Sequence, residues 1–434
     1  MVSLGCSKNQ VDAERLLFSL QQAGFALSGN PEDCDVVIIN TCAFIEDAKK
    51  ESIDTIFEFA AQKGKGRLRG LVVTGCMPER YREEFVRELP EVDVALGIGK
   101  NADIVAAVKG LLEGKAASAF GNKEDLSLEG GRVLANQPWF AYLKIAEGCD
   151  NRCSYCAIPG IRGRFRSRPM ENILEEARQL VADGVRELNV VAQDTSRYGE
   201  DLYGKLMLPQ LLTSLCEIEG LHWVRVLYCY PDRITDELLD VMRTQPKIVP
   251  YMDLPLQHAS GRILKAMHRR GDHETLKVLC NRIREKVPGI TLRTTFIAGF
   301  PGETEEDFEI LCNFIREVRF DRLGCFAYSR EEDTPAFDLP DQIDEEVKAR
   351  RAEIVMELQA DIAYQLATEM VGKKLEVLCE GFDEDEGRWW GRGPGDAPDI
   401  DTRVYFTGNA RPGEFVQVKI TGAEGYDLIG ETVL

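Results

Sequence analysis

The 434-residue chain has only four histidines and no long apolar run. With only four histidines, few imidazole groups are available as metal ligands or catalytic bases. This argues against zinc-based or histidine-based hydrolysis as the function. No segment approaches the roughly 20 apolar residues that cross a bilayer, and the first twenty residues contain no continuous apolar stretch. We therefore expect neither a membrane partner nor a secretory signal.

Positive charge is also scarce, since 53 lysines and arginines stand against 73 aspartates and glutamates, a net charge of −20. This balance opposes nonspecific attraction to a nucleic-acid backbone and favours a basic protein as partner. Five arginines are a local exception: Arg152, Arg162, Arg164, Arg166 and Arg168. They either form a solvated face or contact a cofactor carboxylate or substrate.

Cysteine, in contrast, is plentiful, with 13 residues. In a chain without an export signal, these thiols indicate a reducing, cytoplasmic location in which cysteines serve metals rather than disulfides. The length permits two or three domains.

Three of the cysteines, Cys149, Cys153 and Cys156, share a Cys-x3-Cys-x2-Cys run. A structural zinc site takes four ligands and an ordinary [4Fe-4S] cluster takes four cysteines, so three thiolates suggest a cluster with one iron open to a small molecule. The alternatives are zinc with a distant fourth ligand and three unrelated buried thiols.

Residues 1–115 repeat a pattern of apolar run, cysteine and helical stretch, with Cys6, Cys42 and Cys76 after the three runs. Strands that are apolar on both faces indicate an α/β domain with a doubly wound parallel sheet. Ligands bind beyond the carboxyl ends of such strands, so we expect a second three-thiolate site there; three buried free cysteines are the alternative. Residues 116–138 read as a linker.

Residues 139–368 alternate strands with helices, which predicts a central partial (β/α)6 barrel with parallel strands. The six predicted strands are Phe140 to Ala146, Glu187 to Ala192, Val224 to Cys229, Tyr251 to Leu256, Thr291 to Ile297 and Leu323 to Tyr328. Polar residues and glycines after them, among them Gln193, Gln257 and Gly299, either touch a cofactor or substrate or are ordinary loop residues.

Residues 371–434 contain short alternating runs separated by glycines, which predicts a small antiparallel β-barrel. This segment has 7 basic and 13 acidic residues.

The cysteine run, with Tyr155 just before its last cysteine, resembles that of the radical S-adenosylmethionine (SAM) enzymes. Together with the first cysteine domain and the C-terminal barrel, it is similar to the radical SAM methylthiotransferases over essentially the whole chain. The resemblance implies SAM and two [4Fe-4S] clusters, an auxiliary one on Cys6, Cys42 and Cys76 and a radical-generating one on Cys149, Cys153 and Cys156. It also implies a TRAM-like substrate-recognition domain at 371–434. The residues expected to bind the cofactor are Tyr155, Gln193, Gln257, Arg293 and Gly299.

That family modifies either tRNA adenosine near the anticodon or an aspartate of small-subunit ribosomal protein S twelve. Three segments resemble the protein-modifying branch: residues 3–12, although proline is common where Ser7 stands, 148–169, and the TRAM signature at 396–401. The acidic barrel also favours a basic ribosomal protein, possibly on the ribosome, as partner. Methylthiolation of the aspartate β-carbon, with an unidentified electron donor, is the function that the resemblance implies. The alternatives are a tRNA methylthiotransferase and a non-catalytic metal-binding module.

Overall fold

The computed structural model describes residues 1–433 and begins with a four-stranded parallel sheet in the order β1-β2-β3-β4. Its elements are β1 (Val2–Ser3), α1 (Ser7–Gln22), β2 (Val36–Thr41), α2 (Glu46–Ala60), β3 (Gly70–Gly75), α3 (Cys76–Glu88), β4 (Val94–Ala95) and α4 (Ile104–Leu112). Helices cover both faces, as expected of a doubly wound domain. The strand order, however, follows the chain without the reversal typical of doubly wound sheets.

Alternation along the buried strands divides the core of this sheet into two layers. Ile38 and Val72 pack with α1 and α4, whereas Ile39 and Val73 pack with α2 and α3. Because successive side chains of a strand point to opposite faces, a run of valine and isoleucine supplies both layers at once.

The predicted linker is an ordered strap that ties the first sheet to the central one. Arg132 forms ion pairs with Glu14 of α1 at 2.5 Å and with Glu176 at 2.7 Å. Ala119 forms a parallel bridge with Leu96. Composition alone does not reveal these contacts, since each depends on a partner far away in the chain.

The central sheet has six parallel strands in the order β5-β8-β9-β10-β11-β12 and is open, as predicted for a partial barrel. Its strands are β5 (Phe140–Lys144), β8 (Glu187–Val191), β9 (Trp223–Val226), β10 (Ile248–Asp253), β11 (Thr291–Ala298) and β12 (Arg322–Ala327), with a separate small hairpin of β6 (Ala146–Glu147) and β7 (Arg166–Ser167). Its helices are α5 (Ile158–Arg162), α6 (Met170–Ala182), α7 (Glu200–Tyr203), α8 (Leu208–Cys216), α9 (Asp236–Thr244), α10 (Gly261–Ala266), α11 (His273–Lys286), α12 (Glu305–Val318) and α13 (Glu345–Thr368).

The last five strands close into a barrel in the order β13-β14-β15-β17-β16. They are β13 (Lys374–Asp383), β14 (Arg388–Arg392), β15 (Val404–Thr407), β16 (Phe415–Glu424) and β17 (Asp427–Thr432). Four of the pairings are antiparallel, but β15 pairs with β17 in parallel. The barrel is therefore mixed rather than wholly antiparallel, because β17 pairs with β15 as well as with β16, its antiparallel neighbour in the chain.

The loop between β14 and β15 inserts into the inner face of the central sheet. Tyr251 of β10 donates to Asp401 at 2.6 Å, Arg322 of β12 pairs with Asp396 at 2.6 Å, and Arg225 of β9 donates to the carbonyl of Pro394 at 2.6 Å. This loop contains the predicted TRAM signature, and it anchors the C-terminal barrel to the central one. No helix among residues 1–433 is long and apolar enough to cross a membrane.

Candidate active site

The N-terminal cysteines gather at one edge of the first sheet. Cys6 precedes α1, Cys42 directly follows β2, and Cys76 begins α3 directly after β3. A Cβ placed on Gly5 would lie 2.7 Å from the Cβ of Cys42, so only glycine permits this close approach of the two loops. The carboxyl ends of the parallel strands thus bring together three thiols that lie more than 30 residues apart in the chain.

Burial and charged neighbours shift the pKa values of the three thiols in different directions. Although the surrounding protein desolvates Cys6, Lys8 and Arg162 lower the pKa of its thiol. Burial, together with the neighbouring Cys76 and Cys6, raises the pKa of Cys42 to about 12. Burial also raises the pKa of Cys76, although Arg162 opposes this shift. These two thiols therefore favour the protonated form until a metal centre ionises them, and the nearby Arg162 would balance the negative charge of the coordinating thiolates.

The second trio lies on the loop between β6 and α5. Cys149, Cys153 and Cys156 are each partly exposed there. Burial raises the pKa of Cys149 to about 11, and the Sγ of Cys153 accepts a long hydrogen bond of 3.8 Å from Arg269.

Among residues 1–433, no group of three His, Cys, Asp or Glu side chains is placed to hold a single metal ion. Each trio supplies three thiol ligands, which is the donor set of a [4Fe-4S] cluster with one iron left open. The donor sets therefore fit the clusters that the resemblance implies.

Buried charges connect the two trios. Arg162, at the end of α5, donates to the Sγ of Cys76 at 3.4 Å and pairs with Asp12 of α1 at 2.5 Å. Glu147, two residues before Cys149, pairs with the same guanidinium at 3.2 Å. Both segments that flank the second cysteine loop thus contact the elements that carry the first trio.

The rest of this network consists of Lys144, which pairs with Glu147 at 2.9 Å and also with Asp12. Burial opposes ionisation of Glu147, but Lys144 and Arg162 hold its pKa well below the ordinary range. Sequence reasoning missed this network. Its signal is the presence of Lys144 and Glu147 in an otherwise apolar stretch, since charges are buried only when paired.

The arginines after the cysteine loop differ in their surroundings, so they form neither one solvated face nor one ligand-binding group. Arg162 and Arg168 are buried in ion pairs, whereas the side chain of Arg164 is 79% exposed. Arg152 and Arg164 also line a cleft of about 610 Å³ beside the loop, together with Arg197, Arg233 and Arg270. Neither reading therefore holds for the whole group.

Two residues predicted to bind the cofactor lie beside the second trio. Tyr155 is on the loop itself and packs against the cluster that contains Phe300 and Tyr328. Gln193 lies beyond the end of β8, where its Nε2 donates to Glu147 at 2.7 Å. Its buried Oε1 has no hydrogen-bond partner among residues 1–433, so this amide keeps an acceptor available.

The other three occupy different surroundings. Gln257 adopts a left-handed backbone (φ +73°) and bridges to Phe296. Gly299 (φ +76°) packs so tightly that a Cβ would lie 2.4 Å from the Cγ of Lys348 on α13. Arg293 pairs with Asp253 at 3.0 Å and with Asp401 of the inserted loop at 3.5 Å. Gly299 therefore packs against α13, and Arg293 helps to dock the inserted loop onto the central sheet.

Comparison with protein families covers most of the chain. Residues 1–97 match the uncharacterized protein family UPF0004, residues 143–315 match the radical SAM superfamily, and residues 371–433 match the TRAM domain.

Full-length relatives carry one shared name. The chain is 51% identical over 438 residues to a protein of Pelotomaculum thermopropionicum, covering all of this chain and 99% of that one. It is 48% identical to a protein of Lachnoclostridium phytofermentans, covering 99% and 98%, and 47% identical to one of Geobacter sulfurreducens, covering 100% and 98%. All three are named ribosomal protein uS12 methylthiotransferase RimO.

Among solved structures, the radical SAM methyltransferase TsrM from Kitasatospora setae, with cobalamin and a [4Fe-4S] cluster bound, has a similar fold. The TM-score is 0.56 at 14% sequence identity, over 77% of this chain and 76% of that one. At this identity the likeness concerns the fold alone.

Proposed function

Because this chain belongs to the radical SAM methylthiotransferases of the RimO family, we propose that it replaces a hydrogen on the β-carbon of an aspartate of ribosomal protein uS12 with a methylthio group. Full-length relatives at 47–51% identity that bear the uS12 name support this choice of substrate. The C-terminal barrel, with 7 basic and 13 acidic residues, supports it as well, because a basic ribosomal protein complements an acidic surface.

The single observation that carries the mechanism is the junction of the two cysteine trios. Arg162 contacts Cys76 and lies six residues after Cys156, so the charged network ties the two cysteine-bearing segments to each other. We assign Cys149, Cys153 and Cys156 to the radical-generating [4Fe-4S] cluster and Cys6, Cys42 and Cys76 to an auxiliary one. When bound, SAM and these clusters supply the hydrogen-abstracting radical and the methylthio group.

The residues of the chain then have to bring the reacting groups together and keep water away. A carbon radical must meet sulfur at van der Waals distance before another group quenches it, which is a task of positioning and enclosure. Arg162, Glu147, Asp12 and Lys144 hold the first sheet against the central barrel for this purpose. Tyr155, Gln193 and Gln257 are our proposed contacts to SAM.

We also propose a cytoplasmic location, because ribosomal proteins are modified where ribosomes are made and because cluster ligands need a reducing compartment. The electron donor is an external partner of this reaction.

Mass spectrometry of cells that lack the gene tests the choice of substrate. We expect the methylthio group to disappear from uS12 while the methylthiolated nucleosides of tRNA remain. Loss of the modification from tRNA alone would replace our proposal with the tRNA-modifying alternative. Anaerobic incubation with SAM and reductant addresses the non-catalytic alternative, since a binding module would form no 5′-deoxyadenosine.

A further inference from the structure

Lys8 reaches from the first sheet to the central barrel. It is the second residue of α1, two positions after Cys6, and its side chain is 7% exposed. Its Nζ lies 3.3 Å from the centre of the Tyr228 ring, and Tyr228 follows the carboxyl end of β9. The ammonium group therefore lies where the cysteine edge of one domain faces the carboxyl-end edge of the other.

This ammonium group has no carboxylate of its own. Residues 1–433 contain three buried lysines, and the other two are paired, Lys144 with Glu147 at 2.9 Å and Lys348 with Glu345 at 2.6 Å. Within the described chain, no carboxylate oxygen lies within 4 Å of the Nζ of Lys8. Burial of an unpaired charge is strongly unfavourable, and a contact with an aromatic ring offsets only part of that cost.

The nearby acid is already engaged. Asp253, at the end of β10, pairs with Arg293 at 3.0 Å and accepts a hydrogen bond of 3.0 Å from the backbone N–H of Tyr228. Cys6 retains solvent-accessible surface beside Lys8. A buried ammonium group that has the Cys6 thiol beside it but no carboxylate partner marks a place for a carboxylate that the described chain itself does not supply.

We propose that Lys8 binds the side-chain carboxylate of the target aspartate and thereby sets its β-carbon beside the first cysteine trio. This inference rests on the proposed function. In aspartate the carboxylate is one bond from the β-carbon, so an ammonium two residues from Cys6 holds that carbon next to the sulfur source. The carboxylate in turn gives Lys8 the charged partner that it lacks.

A double-mutant cycle tests this pairing through binding rather than turnover. The two proteins are the full-length, cluster-loaded enzyme and its Lys8→Gln variant. Each is titrated, without reductant, with two uS12 peptides, one with aspartate and one with asparagine at the target position. We expect Lys8→Gln to weaken binding of the aspartate peptide on the order of tenfold to a hundredfold, the range of a charge-assisted hydrogen bond. The asparagine peptide should bind the wild type more weakly than the aspartate peptide does, by a similar factor. Lys8→Gln should not weaken the binding of the asparagine peptide any further.

Controls separate this role from a structural one. Lys50→Gln, an exposed lysine of the same domain, should bind both peptides like the wild type, and Lys8→Arg should retain most of the affinity for the aspartate peptide. Lys8→Arg should also keep the iron content, SAM affinity and peptide-independent cleavage of SAM of the wild type, because it retains the positive charge beside Cys6. If Lys8→Gln does not fold, the affinities of the two peptides can still be compared between the wild type and Lys8→Arg.

Equal losses for both peptides, or a loss of SAM affinity instead, would overturn the assignment and make Lys8 a neighbour of the cluster or of SAM. A wild type that modifies the peptide but shows no aspartate-specific contribution from Lys8 would refute this inference alone. A wild type that neither binds nor modifies any uS12 peptide would refute the proposed function, and this inference with it.

Discussion

Arg162 donates a hydrogen bond of 3.4 Å to the thiol of Cys76, so the segment that leaves one cysteine loop contacts a member of the other trio. The same guanidinium pairs with Asp12 at 2.5 Å and donates to the side-chain oxygen of Asn9 at 2.9 Å. One buried side chain thereby fixes the first sheet against the central barrel.

Replacement of Arg162 should be strongly destabilising. In Arg162→Gln, the buried carboxylates of Asp12 and Glu147 lose a cationic partner, which typically lowers the free energy of unfolding by about 3–5 kcal/mol. Urea unfolding measures this loss. Arg164→Gln is the matched control, because that side chain is 79% exposed and, among residues 1–433, pairs only with Asp150 at 3.7 Å. This variant should change stability by less than about 1 kcal/mol. Equal midpoints for the two variants would contradict the bridging role.

The two cysteine trios should fail in different ways. Cys153→Ala should stop reductive cleavage of SAM, because we propose Cys153 as a ligand of the radical-generating cluster. Cys42→Ala should leave some cleavage and yield no methylthiolated product, with iron content reduced by about one cluster of four irons. Quantification of 5′-deoxyadenosine, iron and product in both variants checks this. Undiminished product from Cys42→Ala would remove the assigned role of the first trio.

Acid should weaken the contact between α1, the strap and α6. Burial opposes ionisation of Glu176, but Arg168, Arg132 and Arg15 lower its pKa from 4.5 to about 2. A carboxylate with a lowered pKa contributes stability above its ordinary pKa and loses that contribution as the pH falls toward its folded-state value, here on the order of 3 kcal/mol between pH 4.5 and 2.

The matched pair for this effect is Glu176→Gln and Glu175→Gln. Glu175 is the neighbouring residue, and its side chain is 79% exposed. Unfolding free energies measured over this pH range should fall less steeply in Glu176→Gln than in the wild type, and at the wild-type slope in Glu175→Gln. Identical slopes in all three proteins would show that Glu176 does not titrate as described.

The inserted loop should control the docking of the C-terminal barrel. Asp401 accepts hydrogen bonds from Tyr251 at 2.6 Å and from the backbone N–H of Ala397 at 2.9 Å, and it faces Arg293 at 3.5 Å. Asp401→Asn leaves Arg293 with less compensating charge and should cost about 1–3 kcal/mol. Limited proteolysis should then cut the loop faster than in the wild type or in Asp385→Asn, an exposed change in the same barrel. Equal rates would argue against this anchor.

Local patterns predicted much of the central sheet. Apolar runs predicted β5, β8, β11 and β12 within two residues of their observed bounds, because a buried parallel strand needs apolar side chains on both faces. The prediction for β10 was displaced by about three residues, since apolar residues continue past the end of the strand in Leu254 and Leu256.

Contacts between residues that are distant in the chain could not be predicted from local sequence patterns. The parallel pairing of β15 with β17, the docking of Arg293 onto Asp401 and the unpaired state of Lys8 each depend on which distant residues meet. A single sequence records the charge of Lys8 but not the absence of a carboxylate around it. For this reason the cysteine trios could be proposed from spacing, whereas the charged groups that we propose to position the substrate required the fold.

The most direct test of the account is the mass of a synthetic uS12 peptide after anaerobic incubation with the cluster-loaded enzyme, SAM and reductant, with tRNA present in the same reaction. The account predicts that the peptide gains one methylthio group in place of one hydrogen at its aspartate, and that the tRNA nucleosides stay unchanged. An unmodified peptide beside methylthiolated adenosine would contradict it.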